Sequence, residues 1–268
     1  MKTISKYLVN FDGNYDFDDL KEIVRILRAP GGCPWDRQQT HESIRKNFIE
    51  ETYEAIEAID NKDAELLEEE LGDVLLQVLL HAEMEEESGI FGIRDVVDGI
   101  CKKLILRHPH VFGDVSAETS EQVLKNWDEI KKKEKSQKNE SEVLNSVAKS
   151  LPALMRAVKL QHKASKAGFD WDDYSGALEK IKEETSELEL AIKNNDQPNI
   201  EEELGDLLFS VVNVCRFFKV EPEEALTKTS DKFVSRFSKV EKLAAGQGRD
   251  MKEMTLEELD KLWEKSKG

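Results

Sequence analysis

The chain has 268 residues, with 39 Lys+Arg against 56 Asp+Glu and a formal net charge of −17, a length that suits two domains or one large one. That acidity argues against a protein whose main task is gripping DNA or RNA, because binding a phosphate backbone needs a concentrated basic surface; no nucleic acid polymer is expected as a partner. No apolar run approaches the ~18 residues that read as a membrane span, and the charged first residues lack a signal-peptide core. A cytoplasmic location and no membrane partner are expected.

Charged residues make up 35% of the chain beside 39% hydrophobic ones, which suits a helical globular protein better than a disordered one. Cys33, Cys101 and Cys215 are odd in number and show no CxxC spacing, so they read as buried free thiols rather than as disulfides or a zinc site. His41, His81 and His162 are scattered and do not supply one either.

In chain order, residues 1–20 form an extension with no assigned role. Ile44–Asp60 reads as a helix. After a break at Asn61-Lys62-Asp63 comes a second, in which Leu67, Leu71, Val74, Leu75, Val78, Leu79 and Ala82 recur at three- and four-residue steps, the period of an amphipathic helix. Pro109 inside the RHPH run at Arg107–His110 predicts a helix-ending loop. Residues 131–142, KKKEKSQKNESE, have no apolar periodicity and read as a linker or a solvated helix end. Ser150, ahead of Pro152, is an N-cap candidate for the next element. Helices follow at Ala177–Lys193 and Ile200–Phe218, separated by Asn194–Pro198. With no convincing period-two strand, the predicted class is all-α: two tandem helical repeats, each an antiparallel hairpin packed in a bundle. The expected boundaries are 1–135, a linker at 136–149, and 150–268.

The repeat is visible directly. Residues 68–80 read EEELGDVLLQVLL and residues 201–213 read EEELGDLLFSVVN; upstream, EETYEAIEAI at 50–59 is matched by EETSELELAI at 183–192. Four acids keep one spacing in each copy: Glu51, Glu54, Glu70 and Asp73, then Glu184, Glu187, Glu203 and Asp206. The period is far longer than a solenoid repeat, which points to duplicated domains. Folded about Lys62 and Asn195, both hairpins place their acids at equal arms, so each set lies at one height. An i,i+3 pair shares one helix face. Four carboxylates can then converge between two helices, where they repel strongly unless a hard divalent cation neutralises them. Oxygen-only ligands favour Mg²⁺ or Mn²⁺ over zinc, and facing bundle helices are an established scaffold for such sites. Gly72 and Gly205 fall mid-helix between the acids, at a cost of ~1 kcal/mol relative to Ala, which suggests that a backbone or a ligand comes close there.

With EExxE followed by ExxD in both copies, the chain resembles the all-α nucleoside triphosphate pyrophosphohydrolases, and in particular the two-repeat MazG family. The stretches GGCPWD at Gly31–Asp36, RHPHVFGD at Arg107–Asp114, SLPALMRA at Ser150–Ala157 and GFDW at Gly168–Trp171 carry the likeness over nearly the whole length. The resemblance implies hydrolysis of nucleoside triphosphates to the monophosphate and pyrophosphate, dependent on Mg²⁺, on homodimers. It assigns the metal to the eight acids named above. It also implies that the C-terminal repeat is the better established catalytic one, while the N-terminal copy keeps all four acids and its ligand spelling gives no reason to call it inactive.

The residues themselves agree with that chemistry. There is no GxxxxGK[ST] loop to cradle phosphates, so metal must stabilise the charge. Glu50 and Glu183, each beside a ligand, are candidates to orient or deprotonate the attacking water, or else are plain exposed helix glutamates. Lys103 with Arg107, and Lys232 with Arg236, are four apart and share a helix face that can meet the triphosphate; the second pair matches positions the family uses for substrate. Both pairs also read as solvated charges offsetting nearby acids. Trp35, Trp127, Trp171 and Trp263, two per repeat, are candidates for base stacking or for packing. A dimer is expected because a lone hairpin cannot bury its apolar stripe. The rivals are a narrower pyrophosphatase of the same fold, dUTPase-like or cleaving phosphoribosyl-ATP, and a non-catalytic acidic scaffold that binds metal or protein.

Overall fold

A computed structural model describes residues 14–134 and 139–267, and among these it contains helices and no strand. The chain divides into two compact units, Met1–Ile130 and Lys131–Gly268. No helix of the described residues is long and apolar enough to cross a membrane.

In the first unit α1 (Phe17–Arg28) starts at Asp16, whose carboxylate accepts from the Asp19 amide while Asp19 returns the bond, a reciprocal cap that satisfies two otherwise orphaned donors. After α2 (Pro34–Gln38) come α3 (His41–Asn61) and α4 (Ala64–Glu87), which pack as a hairpin. The turn between them is built by Lys62 in the left-handed region, φ 57°, with Asp63 capping α4 through the Glu65 and Leu66 amides at 3.1 Å. Ala58 is fully buried beside the turn, where a larger side chain would hold the helices apart. Then follow α5 (Ile93–Arg107), α6 (Pro109–Phe112) and α7 (Ser120–Glu134). Pro109 ends α5 and opens α6, so the RHPH run is a junction between two helices and not a plain loop; the first helical position tolerates a residue without an amide hydrogen. The core gathers Val24, Ile44, Leu79, Leu80, Ala82, Met84 and Ile93. Buried Arg28 ties α1 to α4 through two bonds of 2.8 Å to Glu87, and to the Asp36 carbonyl at 2.6 Å.

The second unit carries α8 (Glu140–Asn145), α9 (Ala153–Lys166), α10 (Tyr174–Lys193), α11 (Gln197–Phe217), α12 (Pro222–Gly246), a 3-10 turn at Met251–Glu253 and α13 (Leu256–Ser266). The α10–α11 turn repeats the first, with Asn195 at φ 52° and buried Ala191 in the place of Ala58. Val240, Ala244 and Leu262 form a separate cluster joining α12 to α13, with Trp263 packed on it.

Several expectations change in detail. Residues 139–149 carry helix α8, and Val143 and Val147 are buried. Pro152, not Ser150, occupies the N-cap of α9, because the residue before a proline is driven away from the helical region. The three cysteines are free but not buried: Cys33 and Cys215 are half-buried and Cys101 is exposed. Gly72 and Gly205 are approached by nothing in the described chain, for a Cβ at either would meet open space. Residues 1–13 of the unassigned extension, and 135–138 at the expected domain junction, lie outside the described residues.

Candidate functional site

Each hairpin brings its acids together midway along the helices. In the first unit, oxygens of Glu51, Glu70 and Asp73 lie within 4.8 Å of one another. Glu54 bonds the Glu51 carboxyl and adds its charge to both Glu51 and Glu70. In the second the trio is Glu184, Glu187 and Glu203, which takes the counterpart of Glu54 in place of that of Asp73, and the charge of Asp206 acts on Glu203. Burial, then mutual repulsion, pushes Glu51, Glu70, Glu187 and Glu203 above the usual carboxylate range. Glu184 is 3% exposed. All-oxygen donors crowded at this distance fit a hard divalent cation, which removes the repulsion that otherwise favours protonation.

The two sites differ in their surroundings. Lys180, one turn before Glu184, bonds it at 2.6 Å and Glu183 at 3.1 Å, which holds the ammonium above its ordinary range. Asn47 holds that place in the first copy, 133 residues earlier. Glu184 and Asp206 also line a pocket of about 710 Å³ that runs along α9, α10 and α11, with Gln161, Trp171, Phe209 and Asn213 among its walls. The Trp171 indole lies over Gly176, where a Cβ would come within 2.3 Å of it. Absence of a side chain there is what lets the ring sit at the pocket.

Of the other predicted residues, Glu50 is exposed and Glu183 is paired with Lys180. Lys103 and Lys232 are exposed. The Arg236 guanidinium lies 5.9 Å from the Trp263 ring, which also packs on Phe233. Among the described residues no hydrogen bond or ion pair joins Lys232 or Arg236 to the acids; Arg236, Phe233 and Trp263 group together on α12 and α13. Arg107 is half-buried at the end of α5. Trp127 packs edge-on against His108 at 4.8 Å, and Trp35 is exposed at the start of α2. Trp171 is thus the tryptophan the structure brings to a carboxylate centre. Gln161, Asn213, Arg216 and Lys180 escape a reading based on the repeat, because all four positions differ between the copies.

Tandem all-α hairpins, each closing on a set of carboxylates, define a duplicated acidic-centre helical protein. The family model described as the MazG nucleotide pyrophosphohydrolase domain matches residues 39–112 and 173–241, one hairpin in each match, and the chain belongs to this family. It is 49% identical over 252 residues to a nucleoside triphosphate pyrophosphohydrolase/pyrophosphatase MazG of Thermotoga maritima, covering 94% of this chain and 96% of the relative. A nucleoside triphosphate pyrophosphohydrolase of Escherichia coli is 42% identical over 253 residues, 93% and 96% of the two chains. YabN of Bacillus subtilis, an uncharacterized protein, is 51% identical over 254 residues, but these cover 52% of its length.

Proposed function

We propose that this protein hydrolyses nucleoside triphosphates to the monophosphate and pyrophosphate, with Mg²⁺ as the cofactor and Mn²⁺ as a substitute, as part of nucleotide-pool housekeeping in the cytoplasm. The observation that carries this reading is the second unit's carboxylate centre opening into the 710 Å³ pocket. The names of the relatives in Thermotoga and Escherichia support the same activity. Glu184, Glu187, Glu203 and Asp206 would hold the cation there, and Glu51, Glu54, Glu70 and Asp73 its counterpart in the first unit. When bound, the ion would supply charge neutralisation on the phosphate oxygens and a more acidic attacking water.

The chain's own groups do the rest. Glu183, adjacent to the buried Glu184 and itself more than half exposed, is placed to accept a proton from water. Lys180 carries positive charge at the same spot and can turn to a phosphate once the acids are neutralised. Trp171 offers an exposed ring face at the pocket for the base. Lys103 with Arg107 and Lys232 with Arg236 are assigned to the triphosphate as the cations of the helices that follow each hairpin. The two repeats are taken as 1–135 and 150–268, joined through 136–149, and the two family matches fall one in each. A homodimer is supported by apolar faces left open: Ile49, Tyr53 and Ile56 on α3, and Leu204, Leu208 and Val211 on α11, are exposed at helical spacing. Contiguous exposed apolar surface of this kind marks association.

Product analysis of the purified protein with a panel of triphosphates and Mg²⁺, with and without EDTA, tests the reading. Monophosphate and pyrophosphate that vanish on chelation are expected. A folded, metal-loaded protein that turns over no nucleotide would sink it and leave the acidic scaffold.

A further inference from the structure

The wall of the second unit's pocket carries a polar device remote from the carboxylates. Asp170 grips Arg216 through both terminal guanidinium nitrogens, one of the two bonds measuring 2.8 Å. The Arg216 Nε–H in turn donates to Asn213 Oδ1 at 2.9 Å. Arginine has donors only, so it can meet only the oxygen of that amide. The orientation of Asn213 is therefore fixed: its Oδ1 is turned to Arg216, and its Nδ2, which has no partner among the described residues, is left to donate. Gln161 faces the reverse constraint. Its Nε2 donates to the Phe209 carbonyl at 2.8 Å, which leaves Oε1 as an acceptor, and that oxygen is buried without a partner on a side chain 6% exposed. A buried polar atom left unpaired is costly in the free protein and is relieved by a ligand that pairs it.

Both amides line the pocket that Glu184 and Asp206 enter. Asp206, Phe209 and Asn213 follow at i, i+3 and i+7 on one face of α11. At 1.5 Å per residue, Asn213 lies about 10 Å along the helix from Asp206, the reach of a nucleoside from its α-phosphorus to the far edge of its base. One fixed donor and one unpaired acceptor match the adjacent donor and acceptor that a nucleobase presents along its hydrogen-bonding edge.

We infer that Asn213, oriented by the Asp170–Arg216 strut and working with Gln161, is the specificity-determining residue that reads the edge of the substrate's base. This rests on the pocket being the nucleotide site. Asn213 touches the base, while Asp170 and Arg216 are positioning residues that act through it.

The test compares wild type with Asn213→Leu, Asn213→Asp and Asp170→Asn, reading kcat and KM for ATP, GTP, CTP and UTP with Mg²⁺. Affinities for the four nucleoside monophosphates, measured by calorimetry in EDTA, give a readout independent of turnover. In Asn213→Leu the best substrate should lose about three- to ten-fold in KM, the worth of one neutral hydrogen bond, with kcat kept and the spread between bases compressed. Asn213→Asp keeps the Arg216 bond but exchanges the donor for an acceptor, and should shift preference toward bases that present an amino group there. Asp170→Asn should blur the preference more weakly. An active wild type whose base ranking and monophosphate affinities are unchanged in Asn213→Leu overturns the inference and leaves the proposed activity standing. A wild type that turns over no triphosphate and binds no monophosphate removes both.

Discussion

The two hairpins hold the same four acids at the same spacing, yet the grooves beside them are built in opposite ways. Ile44 and Leu80 of the first unit, 1% and 4% exposed, sit in a continuous apolar core with Val24 and Leu79. Their counterparts 133 residues on are Ala177, which lines the pocket, and Asn213, which is polar and half-buried within it. Where the second unit has Arg216 to orient Asn213, the first has Glu83, and where it has Lys180 the first has Asn47. A shortened side chain and a polar one at two positions separate a filled interior from a space that admits a ligand, since packed interiors leave almost no void of their own. Identical ligand spelling therefore does not make the two sites equivalent, and the second unit's carboxylates open into the pocket to which the proposed nucleotide is assigned.

The comparison breaks most easily at the acids. Asp206→Ala should lower triphosphate cleavage by at least about 100-fold, because changes even outside a metal's direct ligands cost 10–100-fold, while Asp73→Ala should leave most of the activity. Equal losses in a pyrophosphate-release assay would mean that both units turn over. Rebuilding the groove is the next largest effect. Ala177→Ile puts the first unit's side chain into the second unit's pocket and should raise KM about ten-fold or more, on the scale of an overpacked site. The reverse change, Ile44→Ala, should destabilise the first unit by about 2–5 kcal/mol, seen in denaturant titration, without adding turnover.

A milder change, Gly176→Ala, pushes the Trp171 ring from its seat and should raise KM with little change in kcat and in the melting temperature. An unchanged KM would return Trp171 to packing alone.

Protonation gives the smallest effects. Glu187 and Glu203 are held above their unfolded value of 4.5, first by burial and then by neighbouring carboxylates. A raised folded value means the folded state keeps its protons longer, so this contribution is present below the unfolded range and is lost as pH rises through the raised values. The metal-free protein should therefore lose melting temperature from this source above about pH 4.5, and Mg²⁺ should restore more at pH 8 than at pH 5; equal restoration would argue against the acids as its site. His81 of the first unit has the opposite sign. Burial, then the charge of stacked His41, lowers it below 6.5, so its contribution is present above that value and fades as pH falls through the lowered one. His81→Gln should remove that part of the acid sensitivity in the first unit only.

Helix positions and the hairpin pairing were legible in the chain because they depend on local period and on turn chemistry. Apolar residues at three- and four-residue steps marked α4 and α11, and the polar breaks at Lys62 and Asn195 became the left-handed turns. Once the turns are placed, equal arms force the acids together, which is why Glu51, Glu70 and Asp73, and Glu184, Glu187 and Glu203, were found from spacing alone. Gly72 and Gly205 suggest the approach of a backbone or a ligand, and no backbone of the described chain comes near either, because what faces a helix is a property of its neighbours and not of its own sequence. The pocket belongs to the same category. Gln161 is polar on α9 and Asn213 is one amide among several, and neither carries a signal until α9 packs on α11 and Asp170, 46 residues before Arg216, closes the strut. The sequence by itself determined the helices, the duplication and the acidic centres, since these follow from the local apolar period, from one spelling repeated in the two halves, and from equal arms about a turn. Only the tertiary structure decided that one groove is filled and the other open, since that depends on the sizes and polarities of side chains brought together from three separate helices.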